Sequence, residues 1–412
     1  MLTPNRREDH RETWAGKKKA IQSLTLKVHA YTFGHTQFIE NKDLPQALYE
    51  KARRATIDHR VSVPETLSDA FQSHGVSGIF IDPESIIISS SKHLRISPRR
   101  GTALHHTHLR DDVFETIATS LAEGVGVSTT ARIQGVDKKT VLLVLNRAAA
   151  HAAKINNRLL RNLVVSECQL DEMWSFIGKK EKNLDSIEKL GGILGDAWIW
   201  VAFDAVNKVF LATVVGKRTE AYAVVLLEKV KRVTSRMPSL FSSDQLNQYT
   251  NALLQVYGKK ALPARKPGPG RPPKPRLAPP EELLYVQVVK QYKKYRVVKI
   301  SRNVVFGDPN KVDEILSSSL VSRNINTSYV ERGNGTIRHV NSRCNRKTFR
   351  FSKCKENHAR QLKLSLAYYH LCRPHKTLTK RNAGQPTTPF MAAGLTDHVL
   401  TMGEFLRYKP KN

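Results

Sequence analysis

The chain has 412 residues, 40% of them hydrophobic, enough for two or three domains and at least one sizeable core. Its 67 Lys and Arg outweigh 36 Asp and Glu, and the resulting formal charge of +31 points to a polyanionic partner bound in a salt-sensitive way. No apolar run approaches the roughly 18 residues of a membrane span, the start Met1-Leu-Thr-Pro-Asn-Arg-Arg7 lacks a signal-peptide core, and the four Cys form no Cys-x-x-Cys pair; the expectation is a reduced, cytoplasmic protein with no membrane partner.

Residues 1–100 form an N-terminal region without a chemical motif, in which Gly78 to Ser90, carrying Ile86-Ile-Ile88, favours β structure. Over 101–160 the pattern turns helical. Ala131, Gly135 and Val141 have the spacing of a helix-turn-helix: a small residue where two helices approach, a glycine for the turn and an apolar residue seating the second helix. Ser128 and Asp137 are placed as N-caps, and the second helix presents Lys138, Lys139, Thr140, Asn146 and Arg147 for a DNA major groove. An ordinary three-helix unit with a solvated basic face is the competing reading.

From 161 to 378 the period becomes that of an α/β domain. Leu163 to Phe176 reads as a strand, and Trp198 to Asp204 and Val209 to Val215 as a hairpin around Ala205-Val-Asn-Lys208. A helix from Thr219 to Arg232, a strand from Ser239 ending at Asp244 and a helix from Gln245 to Tyr257 come next. Three strands, a helix, a fourth strand and a helix are the order of a ribonuclease-H-like fold. The expected class is therefore α/β, a ribonuclease-H-like mixed sheet flanked by helices and preceded by an all-α helix-turn-helix domain. An insertion spans 259–280; from Lys259 to Arg276 it holds seven Lys or Arg, six Pro and no acid, and reads as an extended arm. Leu283 to Val289 and Arg296 to Phe306 are two further strands, the first a candidate fifth strand, and 379–412 is a C-terminal tail.

Three acids stand out in this basic chain: Asp171 in Gln169-Leu-Asp-Glu-Met-Trp174, Asp244 in Phe241-Ser-Ser-Asp-Gln245, and Glu331 in Thr327-Ser-Tyr-Val-Glu-Arg-Gly-Asn-Gly-Thr-Ile-Arg338. A carboxylate in an apolar strand is costly unless a cation binds it. Phosphodiester chemistry uses two divalent ions about 3.5–4 Å apart, and Mg²⁺ needs few carboxylates because it retains waters. Asp204 belongs to its turn, and Glu172 points to the opposite face of the sheet from Asp171.

These three motifs resemble those of the DDE transposases of bacterial insertion sequences, in the group named after insertion sequence one. The likeness continues through Phe349-Arg-Phe-Ser-Lys353, Tyr369-His-Leu-Cys-Arg-Pro-His-Lys-Thr-Leu378 and Pro389-Phe-Met-Ala-Ala-Gly-Leu-Thr-Asp397, and covers about residues 110–405. It implies that Asp171, Asp244 and Glu331 bind two Mg²⁺ (or Mn²⁺) with no nucleotide cofactor. Water would attack at an element end and the freed 3′-OH would attack target DNA. The implied partners are the terminal repeats, the target DNA and further copies of the chain in the active complex. Asn334 and Arg338 share a helix face with Glu331, where they would hold DNA beside the metals. Arg332, Arg343, Arg346, Lys347 and Arg350, with Phe349 and Phe351 interleaved, would track the DNA backbone. Two departures are the lack of a Cys-rich N-terminal module and the long spacings, 73 residues from Asp171 to Asp244 and 87 from there to Glu331.

Rival constellations are weaker. Cys354 and His358, with Cys344, His370, Cys372 and His375 nearby, fit no familiar zinc spacing. His370-Leu-Cys-Arg373 with Tyr408 is similar to a tyrosine-recombinase set but leaves the acids unexplained, and Val215-Gly-Lys-Arg-Thr219 has Leu211 where a P-loop needs its first Gly. Two other functions are compatible with the residues: an inactive DNA-binding repressor derived from a transposase, and a metal-dependent nuclease without joining activity.

Overall fold

The computed structural model describes residues 99–262, 274–294 and 296–409, and the backbone of four short strands before them. Those strands, β1 (Val61–Ser62), β2 (Val76–Asp82), β3 (Ser85–Ser90) and β4 (Leu94–Ile96), form an antiparallel sheet in sequential order. The isoleucine run occupies β3, where Ile86, Ile87 and Ile88 pair with Ile81, Phe80 and Ile79. The rest of the N-terminal region, with its basic start, lies outside the described residues. The chain divides into two compact units, Met1–Thr107 and His108–Asn412.

The second unit begins with helices α1 (Asp111–Ala122), α2 (Val127–Gln134) and α3 (Lys138–Leu159). Gly135 stands between α2 and α3 at φ 63°, a left-handed conformation that glycine adopts without strain, and Asp137 caps α3 by accepting the Lys139 N–H at 2.7 Å. Ala131 and Val141 are buried as expected. Ser128 is not a cap: α2 starts at Val127 with the extended Gly126 (φ -72°, ψ 151°) at the N-cap position, which puts Ser128 inside the first turn.

These helices share a core with the later part of the chain. The apolar face of α3 (Val141, Val144, Leu145, Ala148, Ala152) packs on α9 (Lys355–Leu371), and Gln361 Nε2 donates to Leu121 O at 2.6 Å. Gly124 lies so close to the backbone of His339 and Val340 that a Cβ would sit 3.2 Å from it. The expected boundary near 160 therefore falls inside one compact unit.

Six strands make the main sheet. β5 (Glu167–Ile177), β6 (Gly195–Asp204) and β7 (Val209–Gly216) form an antiparallel meander; β8 (Leu240–Asp244) and β11 (Tyr285–Lys293) run parallel to β5, and β12 (Arg296–Phe306) closes the edge antiparallel. Their order across the sheet is β12-β11-β8-β5-β6-β7. Helices cover both faces of this mixed sheet. One face carries α5 (Glu220–Val233) and α6 (Asn247–Tyr257), with Trp200 edge-on to Tyr249 at 5.5 Å. The other carries α8 (Ser328–Val340) and α9, whose Val330, Ile337, Leu362, Leu366 and Tyr369 bury against Met173, Ile199, Val201, Phe203 and Phe210. Side chains of that size contribute about 1.5–3 kcal/mol each when fully buried. Gly333 lets α8 lie close to the sheet, as a Cβ there would meet the Phe210 ring at 3.3 Å.

The expected strands and helices recur with ends moved by a few residues; Leu163 is only an isolated bridge to Thr234, and β5 starts at Glu167. The basic Pro-rich insertion is rooted in a two-stranded ribbon, β9 (Lys259–Ala261) with β10 (Arg276–Ala278), while 263–273 lie outside the described residues. Residues after 379, expected as a tail, are instead packed. Phe390, Phe405 and Leu406 are buried, Leu400 N donates to Leu371 O at 3.0 Å, and Arg407 meets Asp111 at 3.0 Å. Apolar residues at this end, set among short capped turns, supply the surface that covers α1 and α3. Two short helices, α4 (Ser186–Gly191) and α7 (Pro309–Ser317), lie in the connections of the sheet. Among the described residues no helix is long and apolar enough to cross a membrane.

Candidate active site

The parallel register of β5 and β8 pairs Gln169 with Ser242 and Leu170 with Ser243, so Asp171 and Asp244 are next in line on adjacent strands. Alternation along β5 then turns Asp171 to the α8 face and Glu172 to the other. Glu172 is held there by Arg218, whose Nε donates at 3.1 Å, and by the Tyr249 hydroxyl at 3.3 Å. The expectation that Glu172 stays out of the acidic set agrees with these partners. Asp204 accepts the N–H groups of Val206 and Asn207 at 2.8 and 3.1 Å, closing the β6–β7 turn as expected.

Helix α8 brings the third acid. Its start is tied to β5 by the buried Gln169, whose Oε1 accepts from Val330 N at 2.9 Å while its Nε2 donates to Asn326 O at 2.9 Å. With the helix so placed, the Thr327 hydroxyl lies 3.0 Å from Asp244 Oδ1 and 2.9 Å from Glu331 Oε1. One turn further on, Asn334 Nδ2 donates to Asp171 Oδ2 at 2.6 Å. Lys290 completes the group. It lies on β11 two residues past Val288, the partner of Asp244 in register, and its ammonium bonds Glu331 and stands 3.5 Å from Asp244 Oδ1.

The structure thus joins Asp244 to Glu331 through Thr327 and Lys290, and joins Asp171 to the same helix through Asn334. Among the described residues no three acid, His or Cys side chains converge tightly enough to ligate one ion as they stand. Burial, helped by the neighbouring Glu172, Asp244 and Glu331 carboxylates, pushes Asp171 up to about 7. Asn334 Oδ1 and Arg338 Nε are buried without a hydrogen-bond partner. Three carboxylates and an orphaned amide oxygen are a hard-oxygen donor set, the chemistry that suits Mg²⁺ or Mn²⁺. The Lys290 ammonium supplies a positive charge to both Asp244 and Glu331.

The expected DNA-facing residues separate into two groups. Lys138, Lys139 and Asn146 are exposed on α3, with Thr140 and Arg147 half-buried. Arg332 is exposed near the start of α8, Arg346, Lys347 and Arg350 are exposed beyond its end, and Phe349 is fully exposed. Asn334 is not available to DNA, being buried against Asp171; Arg343 donates to Ser352 Oγ at 3.2 Å, and Phe351 packs on Phe176. Arg350 reaches Gly124 O at 3.5 Å, so the basic stretch touches the loop before α2.

Thr327 and Gln169 lie inside the acidic motifs but gave no sign of their roles, because both act through contacts made only in the fold. Lys290 sits in a strand with no motif, and only the β8–β11 register reveals it. Two histidines of the rival constellations have structural partners. His358 lies between Ser175 and Ser352 at 3.1 and 2.9 Å, and His370 Nε2 accepts from Phe210 N at 3.0 Å while stacking on Phe390. Burial lowers these imidazoles to about 4 and about 3, which keeps them neutral.

A mixed α/β sheet flanked by helices, with carboxylates at two adjacent strand positions and on a covering helix, is the class that fold and site define. Comparison with known protein families and with curated proteins found no match.

Proposed function

We propose that this chain is a divalent-metal-dependent DNA transposase of the insertion sequence one group, with a ribonuclease-H-like catalytic layer and a helix-turn-helix DNA reader. The observation that carries the proposal is the joining of Asp244 and Glu331 across Thr327, beside Asp171 in register on the adjacent strand. The strand order, an antiparallel meander and then two parallel strands, supports the ribonuclease-H-like assignment. The charge of +31 supports a nucleic-acid partner.

Held by Asp171, Asp244 and Glu331, two Mg²⁺ or Mn²⁺ ions would activate the attacking oxygen and stabilise the leaving one. The protein's own residues do the positioning. Asn334 orients Asp171, Thr327 sets the spacing of Asp244 and Glu331, and Gln169 fixes the helix that carries two of these groups. Arg332, Arg338, Arg346, Lys347 and Arg350 hold phosphates of the element end, and α3 contributes Lys138, Lys139, Thr140, Asn146 and Arg147. No side chain forms a covalent bond to DNA in this scheme, and several copies act together on the two ends and the target.

The test is an assay with a labelled, precleaved element end and target plasmid. Strand transfer that requires Mg²⁺ or Mn²⁺ and is abolished by Asp244→Asn, with DNA binding retained, is the expected result. Hydrolysis without joining would make the protein a nuclease, binding alone would make it a repressor, and cleavage persisting in EDTA would refute the metal chemistry.

A further inference from the structure

The last two strands of the sheet run on past it. β11 pairs with β8 only as far as Val288, opposite Asp244, and from Gln291 outward its partner among the described residues is β12 alone. On this projecting ribbon Gln291, Lys293, Lys294 and every residue from Arg296 to Ile300 are exposed, so among the described residues neither face is covered. Val297, Val298 and Ile300 are 45%, 59% and 50% exposed. A two-stranded ribbon is marginally stable in water by itself, and exposed β-branched residues on an edge strand invite a partner.

Charge identifies the partner. From Leu283 through Gly307 there are six cations, Lys290, Lys293, Lys294, Arg296, Lys299 and Arg302, and no acid. Pairing of this edge with a second copy would bring like charges together, whereas a polyanion would neutralise them. The ribbon springs from Lys290, beside Asp244 and Glu331, so a nucleic acid engaged at the acids would have the ribbon within reach. A register shift between Gln291 and Tyr292 marks a bulge of the kind that adds twist, and a twisted two-stranded ribbon has the width to enter a DNA groove.

We propose that the outer part of the β11–β12 ribbon is a DNA-contacting arm that lies in a groove of the duplex flanking the cleavage site. Lys293, Lys294, Arg296 and Lys299 neutralise phosphates, and Val297 and Val298 pack against sugars and base edges. The arm rests on the DNA-processing function proposed above, and its test separates the two.

Duplex affinity of the full-length protein and of the Lys293→Ala/Arg296→Ala/Lys299→Ala variant is measured by fluorescence anisotropy over a series of KCl concentrations. Each lost phosphate contact flattens the slope of log K against log salt by about 0.9. The variant is expected to flatten it by about 2–3 and to bind roughly 10–100-fold more weakly at moderate salt, with an unchanged melting temperature. A wild-type slope near zero would remove the DNA function and the arm together. A steep wild-type slope shared by the variant would overturn the arm alone. A variant that binds DNA like wild type but sediments as a smaller species would show the ribbon to be a protein interface, which also overturns it.

Discussion

Replacing Lys290 with Met keeps the aliphatic stem and removes the ammonium over which Asp244 and Glu331 close. At 3.5 Å from Asp244 the Coulomb attraction is about 5 kcal/mol at an effective dielectric of 20 and about 1 kcal/mol in water. Both carboxylates are 46% exposed, which places the interaction near the lower figure. Net values of about 0.5–1 kcal/mol per pair, for two pairs, give about 1–2 kcal/mol that a divalent ion must overcome to displace the lysine. Lys290→Met should therefore bind Mn²⁺ about 5–30-fold more tightly. Isothermal titration of chelator-treated, DNA-free protein with Mn²⁺ measures this directly, with Lys290→Arg as the variant that keeps wild-type affinity. In EDTA the Met variant should also melt below wild type, because two carboxylates then share Thr327 without a counter-charge. Equal or weaker Mn²⁺ binding by Lys290→Met would refute the displacement.

The same geometry sets three further outcomes. Gln169→Leu strands the Val330 N–H, at a cost of about 1–3 kcal/mol, and leaves the Asn326 carbonyl only the Ser242 hydroxyl at 3.4 Å; urea midpoints should fall and, under the proposed function, strand transfer with them, and an unchanged midpoint would show that Gln169 does not anchor α8. Asp171, raised to about 7 from an unfolded value near 3.9, takes up a proton on folding, so its contribution weakens as pH rises from about 4 through about 7. Asp171→Asn should thus melt increasingly above wild type in EDTA over that window while losing cleavage at every pH, and a gap that does not widen with pH would contradict the burial of an ionisable acid there. Burial lowers His151 to about 4, His358 to about 4 and His370 to about 3. The unfolded chain binds these protons first as pH falls below about 6.5, so each imidazole removes about 1.4 kcal/mol per pH unit until the folded form protonates. Urea unfolding at pH 7 and pH 4.5 should show a large loss of stability, and a flat profile would refute it.

The sequence by itself determined the local periods and the local chemistry. Alternation and turn residues mark the meander of β5 to β7, Gly135 and Asp137 mark the α2–α3 turn, and Asp204 with Asn207 marks the hairpin turn. These signals act over a few residues, and a few residues contain them. Asp171 and Asp244 were legible as residues out of place, acids in short apolar or neutral stretches with no cation beside them, and Glu331 through the motif around it. Tertiary structure alone decided what surrounds them. Asn334 shares a helix face with Glu331 and Arg338, which suggested a DNA contact, but once α8 is docked Gln169 and Gly333 fix the helix with that side chain turned onto Asp171. Lys290 reaches Asp244 and Glu331 across 46 and 41 residues of chain through strand register, which no local pattern encodes. The same holds for the close packing of α3 on α9, and for the C-terminal residues that cover α1. Their apolar residues show in the sequence, but which surface they bury against depends on contacts between distant segments.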